Sequence, residues 1–256
     1  MMQLASRHFG VGGDGVVVLR KSEAGADAAW DFFNSDGSSA EMCGNAARCV
    51  IRFLSERYGT PGQVLALETL AGIIKGKLLP DGRSEITMFQ MPSTGFRYDE
   101  RIISTEKNAF QTLNINTGVP HAVIEVKDLA SYPVSSVGRL LVNHSAFKPA
   151  GTNVTFFQRL TSNKILSTTF ERGVEEQTFA CGTGAAAAAI VFAEAYAQDF
   201  PIEVGVPGGP LEVDVSPISK MVLLRGETQH VFEAEAEPPE AKFEEPKLFG
   251  SKKGKG

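Results

Sequence analysis

Cysteine is scarce in this chain: three residues among 256, an odd number. That excludes a disulfide-stapled secreted scaffold and fits a reducing cytosol. No Cys-x-x-Cys occurs, so the usual spacing of zinc ligands is missing. Positive charge is not in excess either. The net charge is −5, which argues against a nucleic-acid surface. Long apolar runs are absent. The longest, residues 185–193, falls far short of the roughly 20 residues that span a bilayer. The first residues, MMQLASRHFG, hold no apolar segment of a signal peptide. These absences leave a cytoplasmic chain that binds neither membrane nor nucleic acid. An apolar content of 43% with 21% charged residues is enough to build a core.

The cysteines that are present stand in unusual company. Cys43 lies in AEMCGNAARC (residues 40–49), and Cys181 lies in FACGTGAAAAA (residues 179–189). Each Cys-Gly opens a stretch of helical character. Residues 45–58 carry Ala46, Val50, Phe53 and Leu54 at helical spacing, with Ser38 or Ser39 available as a cap and Gly59 as the stop. Residues 183–196 form an alanine-rich helix. Around both lie short strands: VVVL after the turn GVGGDG, WDFFN, VLALETL, IIKGKLL, SEITMFQM, FQTLNINTG, AVIEV, NVTFFQRL, ILSTTFER, IEVGVP, PLEVDV and KMVLLRG. A further helix with flanking loops is expected within residues 132–147.

The two halves correspond. Gly72 follows Cys43 by 29 positions (72 − 43) in a strand-turn-strand, and Gly209 follows Cys181 by 28 (209 − 181) in a similar one. The order predicts an α+β fold of two pseudo-symmetric domains, 1–105 with Cys43 and 106–234 with Cys181, facing each other across a cleft. The remainder, 235–256, is rich in Glu, Lys, Ala and Pro and reads as a disordered tail.

A thiolate at a helix N-terminus is stabilised by unpaired N–H groups and a partial positive charge. The same amides accept a carboxylate, and glycines let it approach closely. A substrate carboxylate held by Gly44-Asn45 and Gly182-Thr183 would set its α-carbon between two sulfurs. One thiolate removes the α-proton and the opposite thiol protonates the other face, so a stereocentre is inverted without a cofactor. Cys49, inside the helix, reads as a packing residue. Zinc is a poor rival, because Cys43 and Cys49 with one distant cysteine make a weak ligand set. GVGGDG has no strand before it, so it is a weak dinucleotide-loop signal. A papain-like nucleophile leaves the second cysteine unexplained.

FFNSDGSSAEMCGNAARC and ERGVEEQTFACGTG resemble the two active-site signatures of diaminopimelate epimerases. RHFGVGGDG, NTGVPHAVI, GTNVTF and GGPLEV resemble further segments of that family in the same order, over about residues 5–234. The resemblance implies interconversion of LL- and meso-diaminopimelate, with no pyridoxal phosphate, no other cofactor and no metal. It implies a homodimer in which each domain is a mixed sheet around a central helix. By motif, Cys43 and Cys181 would be the two bases. Gly44, Asn45, Gly182 and Thr183 would hold the α-carboxylate, and Asn34, Asn153 and Arg172 the distal end. Glu171 would bind the reacting ammonium, and His121 would poise a cysteine. Three departures stand out. The family's first strand, with its Gly-Asn-Asp-Phe segment, is not in this sequence. Val119 replaces an asparagine in Gly118-Val119-Pro120-His121, and Gly15 stands where some members carry a polar contact. The rivals are a proline racemase or hydroxyproline epimerase, which typically shows Cys-Gly-His at the first site, and a family member that binds without turnover.

Overall fold

The computed structural model describes residues 1–60 and 62–235. After a short turn of helix, α1 (Met2–Ala5), the first half runs β1 (Gly15–Arg20), β2 (Ala28–Asn34), α2 (Gly44–Tyr58), β3 (Leu65–Thr69), β4 (Gly72–Leu78) and β5 (Ser84–Gln90). Then come β6 (Asp99–Ser104), β7 (Ala109–Asn116), β8 (Pro120–Glu125), α3 (Val134–Leu141), β9 (Asn153–Arg159) and β10 (Lys164–Phe170). The chain ends with α4 (Gly182–Tyr196), β11 (Ile202–Val206), β12 (Gly209–Val215) and β13 (Met221–Gly226). The expectation of a disordered tail over residues 235–256 lies, apart from Glu235, outside the described residues.

All 13 strands join one mixed sheet in the order β1-β2-β3-β4-β5-β13-β12-β11-β10-β9-β8-β7-β6. The internal repeat is visible in it. β2 and β3 are parallel across α2, and β10 and β11 are parallel across α4. In each half two antiparallel strands follow, β4 and β5 in the first and β12 and β13 in the second. Gly72 and Gly209 open β4 and β12 at φ +108° and +124°, a backbone shape that favours glycine in both turns. The halves meet where β5 pairs antiparallel with β13. The fold is α+β.

Each long helix buries the face its sequence prescribes. α2 turns Ala47, Val50, Ile51 and Leu54 inward, positions i, i+3, i+4 and i+7. α4 is apolar all round and buries every residue from Gly184 to Ala193. Such a helix belongs at the centre of a sheet that wraps it. Its alanines let the strands approach closely, so Phe157, Ile165, Val204 and Leu224 close over it in one core with Trp30, Ile51 and Ile86. A smaller core under α3 holds Leu141, Phe156 and Phe170.

Some expectations are corrected. The buried stripe of α2 leaves Phe53 38% exposed, and Cys49 lies on the outer face rather than in the core. The N-cap position is held by Cys43, not by Ser38 or Ser39, and carries no side-chain cap. It ends at Gly59 with φ −96°, without a left-handed turn. The helix within residues 132–147 is confined to α3, followed by a single 3-10 turn at Ser145–Phe147. Strand β6 has no apolar alternation strong enough to signal it: of DERIIS only Ile103 is buried.

The seam between the halves is locked on its outer face. Arg225 of β13 donates to Glu85 of β5 at 2.6 Å, to Asp214 of β12 at 2.8 Å, and also to Glu212. Arg83 reaches Glu212 at 3.0 Å, and Lys77 stands 3.3 Å from Glu85. Arg225→Met would leave three partly buried carboxylates around a lost cation. We expect a stability loss of about 2 kcal/mol, between exposed and buried ion pairs, read from urea unfolding.

Candidate active site

Cys43 and Cys181 are the N-cap residues of α2 and α4, both with extended backbone (φ −138° and −113°). Their carbonyls accept the first helical hydrogen bonds, from Ala47 N–H and Ala185 N–H at 2.9 Å. Neither side chain caps its helix, so the sulfurs are not tied to N-cap duty. The helices begin against each other. A Cβ on Gly44 would stand 3.9 Å from the Gly182 Cα, and one on Gly182 would stand 3.9 Å from the Gly44 Cα. Leu224 and Met88 pack beneath both glycines, and a Cβ on Gly182 would come 3.0 Å from Leu224. Two partly buried free thiols therefore flank a place where two helix N-termini converge. That is a site for an anion.

The surroundings of Cys181 oppose its ionisation. Burial and then the Glu171 carboxylate push its thiol pKa up to about 12, against smaller help from Thr183 and the Gly184 N–H. Glu171 is held by the Thr178 hydroxyl, 2.6 Å away. The Thr183 hydroxyl lies 3.4 Å from the Cys181 sulfur and 3.1 Å from His121 Nε2. His121 thus reaches Cys181 through Thr183. Its Nδ1 lies 2.9 Å from the Thr155 hydroxyl, which lies 3.0 Å from that of Thr169. Burial lowers the His121 pKa to about 3, so the ring is a neutral hydrogen-bonding group. Each hydroxyl in the row offers one proton, so the whole row runs in one direction or in the other. When Cys181 is a thiolate, Thr183 donates to it and Nε2–H donates to Thr183. When Cys181 is a thiol, the row is free to reverse and His121 changes tautomer.

Thr155 and Thr169 face each other in register on β9 and β10. Their hydroxyls close over α4 only because residue 184 is glycine. A Cβ there would lie 2.2 Å from the Thr169 hydroxyl and 3.2 Å from that of Thr155. Across the cleft, Asn45 Nδ2 donates to the Ala180 carbonyl at 3.1 Å, tying α2 to the loop that carries Cys181. Thr117 donates to the Thr183 carbonyl at 3.1 Å.

The remaining expected residues divide. Asn153 Oδ1 accepts from the Arg172 N–H at 2.9 Å, so these two are neighbours. The Arg172 guanidinium is exposed and donates to the Ala150 carbonyl. Asn34 serves its own turn: its side chain donates to the Ser38 hydroxyl at 3.0 Å and its N–H to the Ser38 carbonyl at 2.8 Å. No contact joins Asn34 to the other expected residues among the described hydrogen bonds. Arg48, Thr155, Thr169 and Thr178 were not foreseen. The threonines carry one signal in the sequence, polar residues inside otherwise apolar strands, which need buried partners. Among the described residues no group of three or more His, Cys, Asp or Glu is arranged to hold a metal ion. No helix among them is long and apolar enough to cross a membrane.

The family model of diaminopimelate epimerase matches residues 1–94 and 113–231. The chain belongs to the diaminopimelate epimerase family. Relatives so named include that of Aquifex aeolicus, 41% identical over 88% of this chain and 81% of the relative. One from Nostoc sp., named diaminopimelate epimerase 1, is 33% identical over 90% of this chain and 87% of the relative. The family is one of isomerases. Solved structures share the fold at lower identity. A probable proline racemase from Agrobacterium radiobacter superposes with TM-score 0.64 at 18% identity, covering 91% of this chain and 80% of that one. A PhzF-family phenazine biosynthesis protein from Bacillus anthracis superposes with TM-score 0.61 at 16% identity, covering 85% and 82%.

The site generates two expected outcomes. Gly184→Ala sets a methyl against the Thr169 hydroxyl; it should cost about 1–3 kcal/mol in unfolding free energy. Turnover should fall tenfold or more, and adding Thr169→Ala should recover part of the stability. The second concerns acid. Folded His121 takes its proton near pH 3 and the unfolded ring near 6.5, so between these the unfolded state binds more protons. Stability therefore falls as pH falls, by about 1.4 kcal/mol per pH unit from this residue alone. Unfolding free energies from urea titrations at pH 6.5 and 5 should differ by about 1.7 kcal/mol less in His121→Asn than in the parent.

Proposed function

We propose that the chain interconverts LL- and meso-diaminopimelate with Cys43 and Cys181 as paired bases. The observation that carries the reading is the convergence of two Cys-capped helix N-termini at Gly44 and Gly182. The amides of Gly44, Asn45, Gly182 and Thr183 would hold the α-carboxylate. The Cys43 thiolate takes the α-proton. The electron pair it leaves behind spreads into the carboxylate, where both helix termini stabilise it. The Cys181 thiol gives its proton to the opposite face and becomes the thiolate. The reverse reaction exchanges these roles. The resting assignment follows from charge: burial and Glu171 favour the protonated form at Cys181. A substrate ammonium at Glu171 would neutralise that carboxylate and ease the negative charge Cys181 must later carry. His121, neutral, steadies either state of Cys181 through Thr183. Asn153 and Arg172 would bind the distal carboxylate, Arg172 with its planar fork. Asn34, engaged by Ser38, would have to release that contact to join them.

The same reading makes the protein a cytoplasmic, cofactor-independent homodimer of lysine biosynthesis. In this reading the two units are residues 1–105, with Cys43, and 106–234, with Cys181; β6, at the end of the first, pairs with β7 of the second. A proline racemase reading is weaker: solved proteins so titled share the fold at 18% identity, whereas the much closer relatives above are named diaminopimelate epimerases.

Proton NMR of LL-diaminopimelate in deuterium oxide, with reduced protein, tests the reading. We expect loss of the α-proton signal together with appearance of the meso isomer. Cys43→Ala and Cys181→Ala should each lower epimerisation at least a thousandfold, while Cys49→Ala should leave it within twofold. Turnover of proline in place of diaminopimelate, or a Cys49 variant as inert as the other two, would refute the assignment.

A further inference from the structure

Arg48 is the most unusual buried group that the mechanism above leaves unused. It lies on the inner face of α2, 5% exposed. Nη2 donates to Asn45 Oδ1 at 3.1 Å. Among the described residues Nε and Nη1 have no hydrogen-bond partner, and no carboxylate pairs with the guanidinium. Room for it is made by Gly226 of β13, where a Cβ would stand 3.1 Å from Nε and 3.4 Å from Cζ. Burial lowers its pKa from the usual arginine value, yet a guanidinium stays charged in proteins. A buried cation without an anion is costly. A fold that needed only volume here would do better with methionine or leucine.

What the charge does is visible in its one partner. Asn45 has a carbonyl oxygen and an NH2 group at opposite sides of one plane. With the oxygen bound to Arg48, the NH2 is turned across the cleft, where it donates to the Ala180 carbonyl. Ala180 directly precedes Cys181. The row Arg48–Asn45–Ala180 therefore crosses from the first half to the second at the level of the two thiols. A charged donor makes the Arg48–Asn45 bond stronger than a neutral one and fixes which way the amide faces. We propose that Arg48 is a positioning residue for the epimerase site: through Asn45 it clamps the Cys181 loop onto the first turn of α2 and so sets the separation of the two thiols. This rests on the epimerase reading for its catalytic consequence, but the clamp itself is a property of the fold.

The test labels the full chain with iodoacetamide and follows each cysteine by peptide mass spectrometry. In Arg48→Met, Cys181 should be alkylated at least five times faster than in the parent, while the exposed Cys49 is unchanged. Asn45→Ala should give the same selective gain with Arg48 still in place, which covers the case of a poorly folding arginine variant. Arg48→Lys, still able to donate from a cation, should restore most of the protection. In turnover, Arg48→Met should lose tenfold or more in kcat, and the double variant with Asn45→Ala should be no worse than the weaker single one. Equal acceleration at all three cysteines, or none at Cys181, would overturn the clamp, as would additive losses in the double variant. Turnover of the parent chain separately decides the epimerase reading, so the two failures are distinguishable.

Discussion

Two helices that begin against each other are the constraint on which the rest of this structure turns. Each N-terminus carries about half a positive charge and several N–H groups without helical partners. Setting two such ends together, with only glycine Cα atoms between them, is unfavourable in the empty protein. It becomes favourable when an anion enters, because both ends then serve one carboxylate. Everything nearby follows from keeping that meeting point open. A Cβ on residue 182 would press on Leu224 at 3.0 Å, and a Cβ on either glycine would stand in contact with the other at 3.9 Å, filling the space between the two ends. The cysteines must be the residues just before, because only the N-cap lies beside the first amides without belonging to the helix.

The single sheet makes the meeting possible. Each helix crosses between parallel strands of its own half, so its start is fixed by the strand that precedes it: β2 for α2 and β10 for α4. The β5–β13 pairing then fixes one half against the other. The Arg225 cluster binds the outer face of that seam and Asn45 binds its inner end, at the cleft. The site is thus held by hydrogen bonds at two depths, with the apolar core of Ile86, Leu224 and α4 between them.

Much of this was legible in the sequence because it repeats. The two Cys-Gly segments, and the glycines 28 and 29 positions beyond, mark two copies of one strand-helix-strand unit. The strand periodicities around them were strong enough to place nearly every strand. What failed did so for local reasons. α2 carries apolar residues on two sides, so its buried stripe was read one residue out of phase and Phe53 was counted as core. Cys49 looked like packing for the same reason. Strand β6 is recruited by its pairing with β7 and buries a single side chain, which no alternation reveals. The hydrogen-bonded row from Thr169 to Cys181 joins residues of β10, β9, β8 and α4, and no spacing along a chain announces such a row. Arg48 was hidden by its type: an arginine in a helix ordinarily reads as a solvated face.

The two half-sites are alike in backbone and unlike in charge, and that difference carries chemical meaning. A two-base inversion must start with one sulfur charged and the other protonated. Two identical environments would favour neither arrangement. Here burial and the nearby Glu171 carboxylate suit a thiol at Cys181. The first half presents a buried guanidinium instead, bound to the residue two positions after Cys43. The duplicated fold therefore supplies the symmetry that a flat carbanion requires. The side chains grafted on it supply the asymmetry that sets which sulfur starts. A substrate whose ammonium approaches Glu171 acts on the more reluctant of the two, so binding itself prepares Cys181 for the charge it takes up once its proton is given.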